Sequence, residues 1–600
     1  MKSGEKICLG LTALAGSIAF DLLAKTDSYY LIYLLLFALA TVAFVQQITQ
    51  KKSFGSDFSM REKNYLWGLS AGIALCITMA NYRLFIGGWW LAGKFAIQGK
   101  AFPFAETVNF LQGLLVFAGV LLTLRLLLHW LYFRLKDFHW VQESLVVSPR
   151  RVFGASFALL LSVDLIYLFL CAYPGVMTPD SVDQVHQVLT GVYHNHHPFW
   201  HTQVIRVCLA IGYFIFGSLP AAVATYSVFS ACFLSAAFAF LTMTLAEAGL
   251  TRNWRRILLL YLMLMPVHVI YSVTMWKNIL FSAAMLIFVT VLFRILHGIG
   301  KPRGNDLLFF LSGWASCVWL SNGIGAFFLT WVILLFVLPQ KRKLLFGMGA
   351  VTLGLSLFMI GPALHILGVR QAEPSIILSV PQQQIARVFY EKKYVSADDK
   401  QVLEKYMDVT KLAGHYMPQI ADPTRMLVSD TAFQQNPMDY VKTWARLGIC
   451  YPDVYLRAWI DETRGYYNGG YHYWFVSKGV DQKTTAAVGL PLTNTVRVRI
   501  LDKLYDAYTK MFYYPPLQIF ISIGLHVWLL LVLGGFCLMR RKKDALLVVP
   551  ALAVVATLFI STPVFSEFRY AYSVFTTLPL VEGAAFLPEK QEETDRRDSR

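Results

Sequence analysis

The sequence predicts an all-α polytopic membrane protein with about fourteen transmembrane helices and a mainly helical extracytoplasmic domain. Three observations predict it. Of the 600 residues, 56% are hydrophobic and only 15% charged, whereas a soluble domain carries roughly a quarter charged residues. Apolar runs long enough to cross a hydrocarbon core of about 30 Å recur along most of the chain. Basic residues cluster in the short segments between those runs, the pattern that orients membrane helices. The net charge of +17 therefore reads as topology and not as a nucleic-acid footprint. The eight cysteines show no CxxC and no disulfide framework.

Residues 1–150 form a four-helix N-terminal module with runs at 7–24, 29–48, 65–84 and 108–133. Lys2 and Lys6 precede the first run as in a signal peptide. No small-residue cleavage site follows, and Asp21, Lys25 and Asp27 close the run, so it is a retained span. Residues 151–367 carry seven spans, at 152–173, 219–247, 256–273, 277–297, 306–321, 323–338 and 344–367, with a first outer loop over 174–218. Residues 368–515 are of mixed polarity and long enough for an extracytoplasmic domain. Helical periodicity marks 398–407 and 437–447, and Gly and Pro mark turns between. Three spans, 516–539, 545–563 and 568–587, make up 516–588, and the charged tail 589–600 is expected to be disordered and cytoplasmic.

One more apolar segment, 201–217, competes for a place in the membrane. If it crossed, the later basic clusters (Arg252, Arg255 and Arg256; Lys301 and Arg303; Lys341, Arg342 and Lys343; Arg540, Arg541, Lys542 and Lys543) would all face outward. It is expected instead along the outer surface, as an amphipathic or re-entrant helix with Arg206 on its wetter face. Both termini then lie in the cytoplasm, and the loop 174–218 and the region 368–515 lie outside.

That first outer loop is the strongest functional signal. YPGVMTPDSVDQVHQVLTGVYHNHHPFWH, residues 173–201, packs Asp180, Asp183, His186, His194, His196, His197 and His201 into a short stretch. Pro174, Gly175, Thr178 and Pro179 force a turn, and Thr178 or Asp180 can cap a helix running to about Leu189. Asp180 and Asp183 are the candidate catalytic carboxylates, suited to taking a proton from a hydroxyl or to holding a divalent cation. Gln184 and Gln187 sit at helical spacing from them. His197 and His201 are four apart and with Asp180 form a candidate metal set, although neither an HExxH glutamate nor a cysteine accompanies them. As neutral imidazoles His194, His196 and His197 suit sugar hydroxyls or a phosphate. The bland alternative is an interfacial cluster anchored by Phe199 and Trp200.

Three further spots recur at outer helix ends: Trp276, Lys277 and Asn278; Ser321, Asn322 and Gly323; and Glu567, Arg569 and Tyr570 in SEFRYAY. Lys277 and Arg569 go against the topology bias, which an anionic partner such as a lipid-linked phosphate explains; snorkelling is the alternative. Within the membrane, Asp164 and Arg125 are expected to form a buried ion pair. In the outer domain Gln382, Gln383, Gln384 and Arg387 open a helix, and GYYNGGYHYW from Gly465 to Trp474 offers aromatic faces that suit sugar rings.

The span ending in YPG, the Asp-Ser that follows, HHP, the helix closing in FGS and the long return span together resemble the first outer loop of GT-C membrane glycosyltransferases. The nearest pattern is a bacterial multi-pass family with PG...T.DS..Q, HHP, WKD and E.RY. The resemblance covers about 152–587 and rests on Pro174, Gly175, Asp180, Ser181, Gln184, His196, His197, Pro198, Trp276, Lys277, Glu567, Arg569 and Tyr570. It implies a GT-C-like seven-span core and transfer of a sugar from a polyprenyl-phosphate donor to a cell-envelope acceptor, a glycan or lipid, on the outer face of the bacterial plasma membrane. Asp180 would be the general base. Gln184, His194, His196, His197, Lys277, Glu567, Arg569 and Tyr570 would bind substrate, and a divalent cation is a candidate cofactor. Asn278 departs from the pattern, which has Asp there. The competing classes are a transporter or flippase of lipid-linked saccharide, with Asp164, Arg125, His129 and His268 as its few intramembrane polar groups, and a non-catalytic envelope assembly protein.

Overall fold

A computed structural model describes residues 3–24, 31–50, 58–84, 105–140, 148–471 and 473–588. Lys2, Lys25, Asp27, Lys51, Lys52 and the tail 589–600 lie outside the described residues. The described chain is all-helical, with backbone pairing between segments limited to isolated bridges. Each of the fourteen apolar runs contains a helix. By length and apolarity, eight of the described helices can cross a membrane. They become nine if Arg252–Leu264 and Pro266–Ser272, bent by 63° at Met265, count as one broken span. Pro266 accounts for the break, since it has no N–H to give to the preceding turn.

Phe199–Phe216 is among the eight. Its outer stripe of Val207, Ile211, Phe214 and Ile215 is exposed, while His201, Thr202, Ile205 and Leu209 face inward against Leu219–Glu247. The turn between these two helices is short because Gly217, at φ +64°, terminates the first with a left-handed cap.

Lys277–His297 is the centre of the molecule. Leu280, Ala283, Ala284, Met285, Leu286, Val289 and Leu292 are all fully buried, as expected for a helix apolar on every side. Around it pack Leu219–Glu247, Pro302–Trp319 and the C-terminal Tyr572–Ala585. The last spans are therefore part of the central core. Residues of the N-terminal helices form a second core with Trp528, Val532, Phe536 and Met539 of Ile523–Met539. Residues 368–515 have a core of their own, in which Ile385, Val388, Leu403, Tyr406, Phe433, Tyr440 and Leu447 meet.

The expected Arg125–Asp164 ion pair does not form. Asp164 Oδ2 accepts from Ser235 Oγ at 2.8 Å across to Leu219–Glu247, and the Arg125 guanidinium lies 4.5 Å over the ring of Trp67 within the N-terminal helices. The two residues belong to helices that pack on different neighbours: Ala105–Leu135 against the first three, Pro149–Cys171 against Leu219–Glu247. A double-mutant cycle on Arg125→Leu and Asp164→Asn, read by unfolding in detergent, should be additive within about 0.5 kcal/mol, the behaviour of sites without shared partners.

Candidate functional site

The strap 173–178 positions the site. Gly175 has φ +142°, and a Cβ there would lie 2.1 Å from Ser227 Oγ, so only glycine serves. Ser227 Oγ donates to the Pro174 carbonyl at 2.9 Å. Val176 N–H donates to Val273 O and Met275 N–H to Val176 O, while Met177 N–H donates to Gly479 O and Asp481 N–H to Met177 O. The strap is thus held between the segment leading into Lys277 and a segment of the outer domain. Thr178 is the N-cap of Pro179–Thr190, and its hydroxyl accepts from Trp276 Nε1 at 2.7 Å. Ser181 Oγ donates to Met275 O at 2.7 Å. With Thr178 as the cap, the Asp180 carboxylate is left for another partner.

That partner is Arg569. Its Nη1 lies 2.7 Å from Asp180 Oδ2 and its Nε 3.3 Å from Glu567 Oε1. The guanidinium also stacks 4.9 Å from the Trp276 ring centroid and 5.2 Å from that of Tyr570. Burial raises the Asp180 carboxyl, but the adjacent Arg569 charge more than offsets this and holds it well below the usual carboxylate range. Glu567 is 2% exposed. Burial, opposed by Arg569 and reinforced by Asp180, pushes it up to about 7. One guanidinium thus faces two carboxyls, one held low by its charge and the other raised by burial.

A second chain of contacts starts at Lys277. Its Nζ lies 3.1 Å from His197 Nδ1. Burial and the Lys277 charge keep His197 far below the ordinary histidine value, so the imidazole is neutral and Nδ1 accepts from the ammonium. The ring proton then sits on Nε2, 3.8 Å from Asp183 Oδ2. Asp183 also accepts from Gln187 Nε2 at 2.8 Å and lies 3.3 Å from His194 Nε2. Lys277 follows Trp276 in the chain, and Trp276 is the ring over which the Arg569 guanidinium lies.

The remaining sequence candidates fall elsewhere. Gln184 Nε2 lies 3.0 Å from His201 Nδ1 and donates to Thr202 Oγ1 at 2.8 Å, and His201 Nε2 lies 2.8 Å from Tyr226 OH. Both His201 nitrogens are engaged in this buried tie between helices, so Asp180, His197 and His201 are not brought together as a ligand set. Among the described residues no group of three or more His, Cys, Asp or Glu side chains is placed to hold a metal ion. His196 points to the rim, where Nδ1 lies 2.6 Å from Glu373 Oε2, a partner with no periodicity or motif to announce it. Asn322 donates to Thr557 Oγ1, away from these groups. Gln382, Gln383 and Gln384 donate to the carbonyls of Ser375, Met417 and Tyr455 and are internal struts. Tyr466, Tyr467 and Tyr471 are buried, so this part of the aromatic run packs inward and offers no open face to a sugar ring.

A family model described as a family of unknown function, DUF6020, matches residues 188–599, well over half of the chain. The chain belongs to the DUF6020 family. No curated protein and no solved structure matches it. The DUF6020 match takes in His194, His196, His197, Lys277, Glu567, Arg569 and Tyr570 and begins after Asp180 and Asp183.

Because the folded Glu567 carboxyl binds its proton more tightly than the unfolded one, its burial costs little below the ordinary glutamate value of about 4.5. The cost grows as pH rises towards 7 and is complete above it. Glu567→Gln should therefore gain stability over wild type at pH 8 by about 1–3 kcal/mol relative to their difference at pH 4, measured as thermal unfolding of the purified protein in detergent at both values.

Proposed function

We propose that the protein is an integral membrane glycosyltransferase that moves a sugar from a polyprenyl-phosphate donor to an acceptor hydroxyl of the cell envelope. The single observation that carries the reading is the placement of two cations around one carboxylate: Arg569 Nη1 lies 2.7 Å from Asp180 Oδ2 with its guanidinium over Trp276, and Lys277, next to Trp276 in the chain, holds His197 at 3.1 Å. Cations held in such low-dielectric surroundings suit a phosphate, whose two or three oxygens match the guanidinium fork. The finer architecture that goes with this reading is a GT-C-like core within fourteen membrane crossings, both termini cytoplasmic, in a bacterial plasma membrane, with Phe199–Phe216 lying along the outer surface. The basic clusters between spans support it.

In the proposed reaction the acceptor oxygen attacks the anomeric carbon while the bond from that carbon to the phosphate oxygen breaks. The electron pair leaves with the phosphate, where Arg569 and Lys277 neutralise it. Asp180 takes the hydroxyl proton. In the free protein Asp180 is a weak base because Arg569 is bound to it. A donor phosphate that draws the guanidinium to itself relieves that attraction and raises the proton affinity of the carboxylate, so donor binding prepares the base. Neutral His197, held by Lys277, is suited to orient a hydroxyl.

A transporter has less support. Arg125 is capped by Trp67, His129 Nδ1 lies against the Arg125 carbonyl, Asp164 is bonded to Ser235 and His268 to Tyr572. Arg125 and His129 line one pocket among the N-terminal helices, while Asp164 and His268 have their partners elsewhere.

The purified protein should bind farnesyl phosphate, and Arg569→Ala should weaken that binding by about 10- to 100-fold, the worth of charge-assisted hydrogen bonds. In a strain lacking the gene, Asp180→Asn should reach the membrane, leave lipid-linked sugar accumulated and fail to restore the envelope glycan. Full restoration by Asp180→Asn sinks the assignment of the base.

A further inference from the structure

The DUF6020 match leaves residues 1–187 outside it, and nothing in the reaction above uses the N-terminal helices. Their outer ends nevertheless meet the segment 459–471. Tyr33 of Leu31–Gln50 is buried, and its hydroxyl donates to Asn468 Oδ1 at 3.1 Å, receives Asn468 Nδ2 at 2.9 Å and receives Asn81 Nδ2 at 3.0 Å. Asn81 is the C-cap of Met60–Ala80. Tyr82 OH donates to Asp461 Oδ2 at 2.7 Å, and Asp461, fully buried, is also 2.7 Å from Arg387 Nη1.

The same segment grips the site from its other side. Gly465 N–H donates to Phe565 O at 3.1 Å, and a Cβ on Gly465 would lie 2.3 Å from Ser566 Cβ. Tyr466 OH donates to Val564 O at 2.8 Å and accepts from Glu567 N–H at 3.2 Å. An apolar cluster of Ala80, Tyr467, Tyr471, Val564 and Phe565 runs through all three layers. Two residues beyond Glu567 comes Arg569.

We propose that the N-terminal module is a buttress for the site: Tyr33, Asn81 and Tyr82 hold Asp461 and Asn468, which through Gly465 and Tyr466 fix the height and angle of Glu567 and Arg569. These are positioning residues. Glycine at 465 and two tyrosine hydroxyls on two-sided hydrogen bonds are the features such a contact needs, because a short rigid path transmits position where a long flexible one does not. The functional half of the inference rests on the reading of Arg569 as a phosphate ligand; the mechanical half does not.

The test uses the full-length protein in detergent, as wild type, as the Tyr33→Phe/Tyr82→Phe double variant and as Gly465→Ala. Hydrogen exchange of the amides in 564–571 should quicken by about tenfold in both variants, as loss of one or two buried hydrogen bonds predicts. Exchange in 280–295 should stay at the wild-type rate, and the midpoint of thermal unfolding should stay within about 3 °C. Farnesyl phosphate affinity should fall by about tenfold in the double variant. Unchanged exchange at 564–571, or an equal rise in every helix, overturns the buttress. If wild type itself fails to bind farnesyl phosphate, the reading of the site falls, and the exchange measurement alone decides the buttress.

Discussion

The Arg569–Asp180 ion pair joins residues 389 positions apart in the chain, and much of the arrangement around it follows from what a buried charge requires. A guanidinium removed from water is tolerable only with several partners. Here it has two carboxyls and two aromatic faces. The four partners arrive from three places: Asp180 on the helix after the strap, Trp276 at the head of the central helix, and Glu567 and Tyr570 beside Arg569 itself. Burial pushes Glu567 up, while for Asp180 the Arg569 charge outweighs burial and holds it down.

These partners meet because rigid elements bring them. Lys277–His297 is enclosed on all sides and cannot shift without opening the core, so Trp276 and Lys277 have a fixed place at its N-terminal end. The strap 173–178 then locks Pro179–Thr190 to that end through backbone pairing on both edges. Gly175 permits the close pass over Ser227, and Thr178 takes both the cap position and the Trp276 indole proton. The Asp180 carboxylate is left to meet Arg569 because Thr178 takes the cap position.

The histidines divide the labour in a way that spacing alone does not reveal. His197 faces the centre and is neutral beside Lys277, His201 ties two helices together, and His194 and His196 stand at the wetter rim against Asp183 and Glu373. His197 and His201 are four positions apart, yet Pro198 stands between them as the N-cap of Phe199–Phe216, so His197 is not on that helix. The helical spacing that suggested a shared metal face therefore has no helix beneath it.

The order of apolar runs determined the helical class and where along the chain a helix falls in each run, because burying backbone polar groups in hydrocarbon leaves few other structures open. The density of charge in 173–201 likewise marked the loop. Partner choice was decided only in three dimensions. Arg125 and Asp164 looked like a pair because each is a lone charge in a span, and both found local alternatives, an indole face and a serine hydroxyl. Gln382 to Gln384 and the tyrosines of 466–471 have a composition suited to a binding surface and were turned inward by the packing of the outer domain. Asp180 and Arg569 carry no mark in the sequence of their being 2.7 Å apart. Contact between them depends on how some 390 intervening residues pack, and local pattern does not encode that distance.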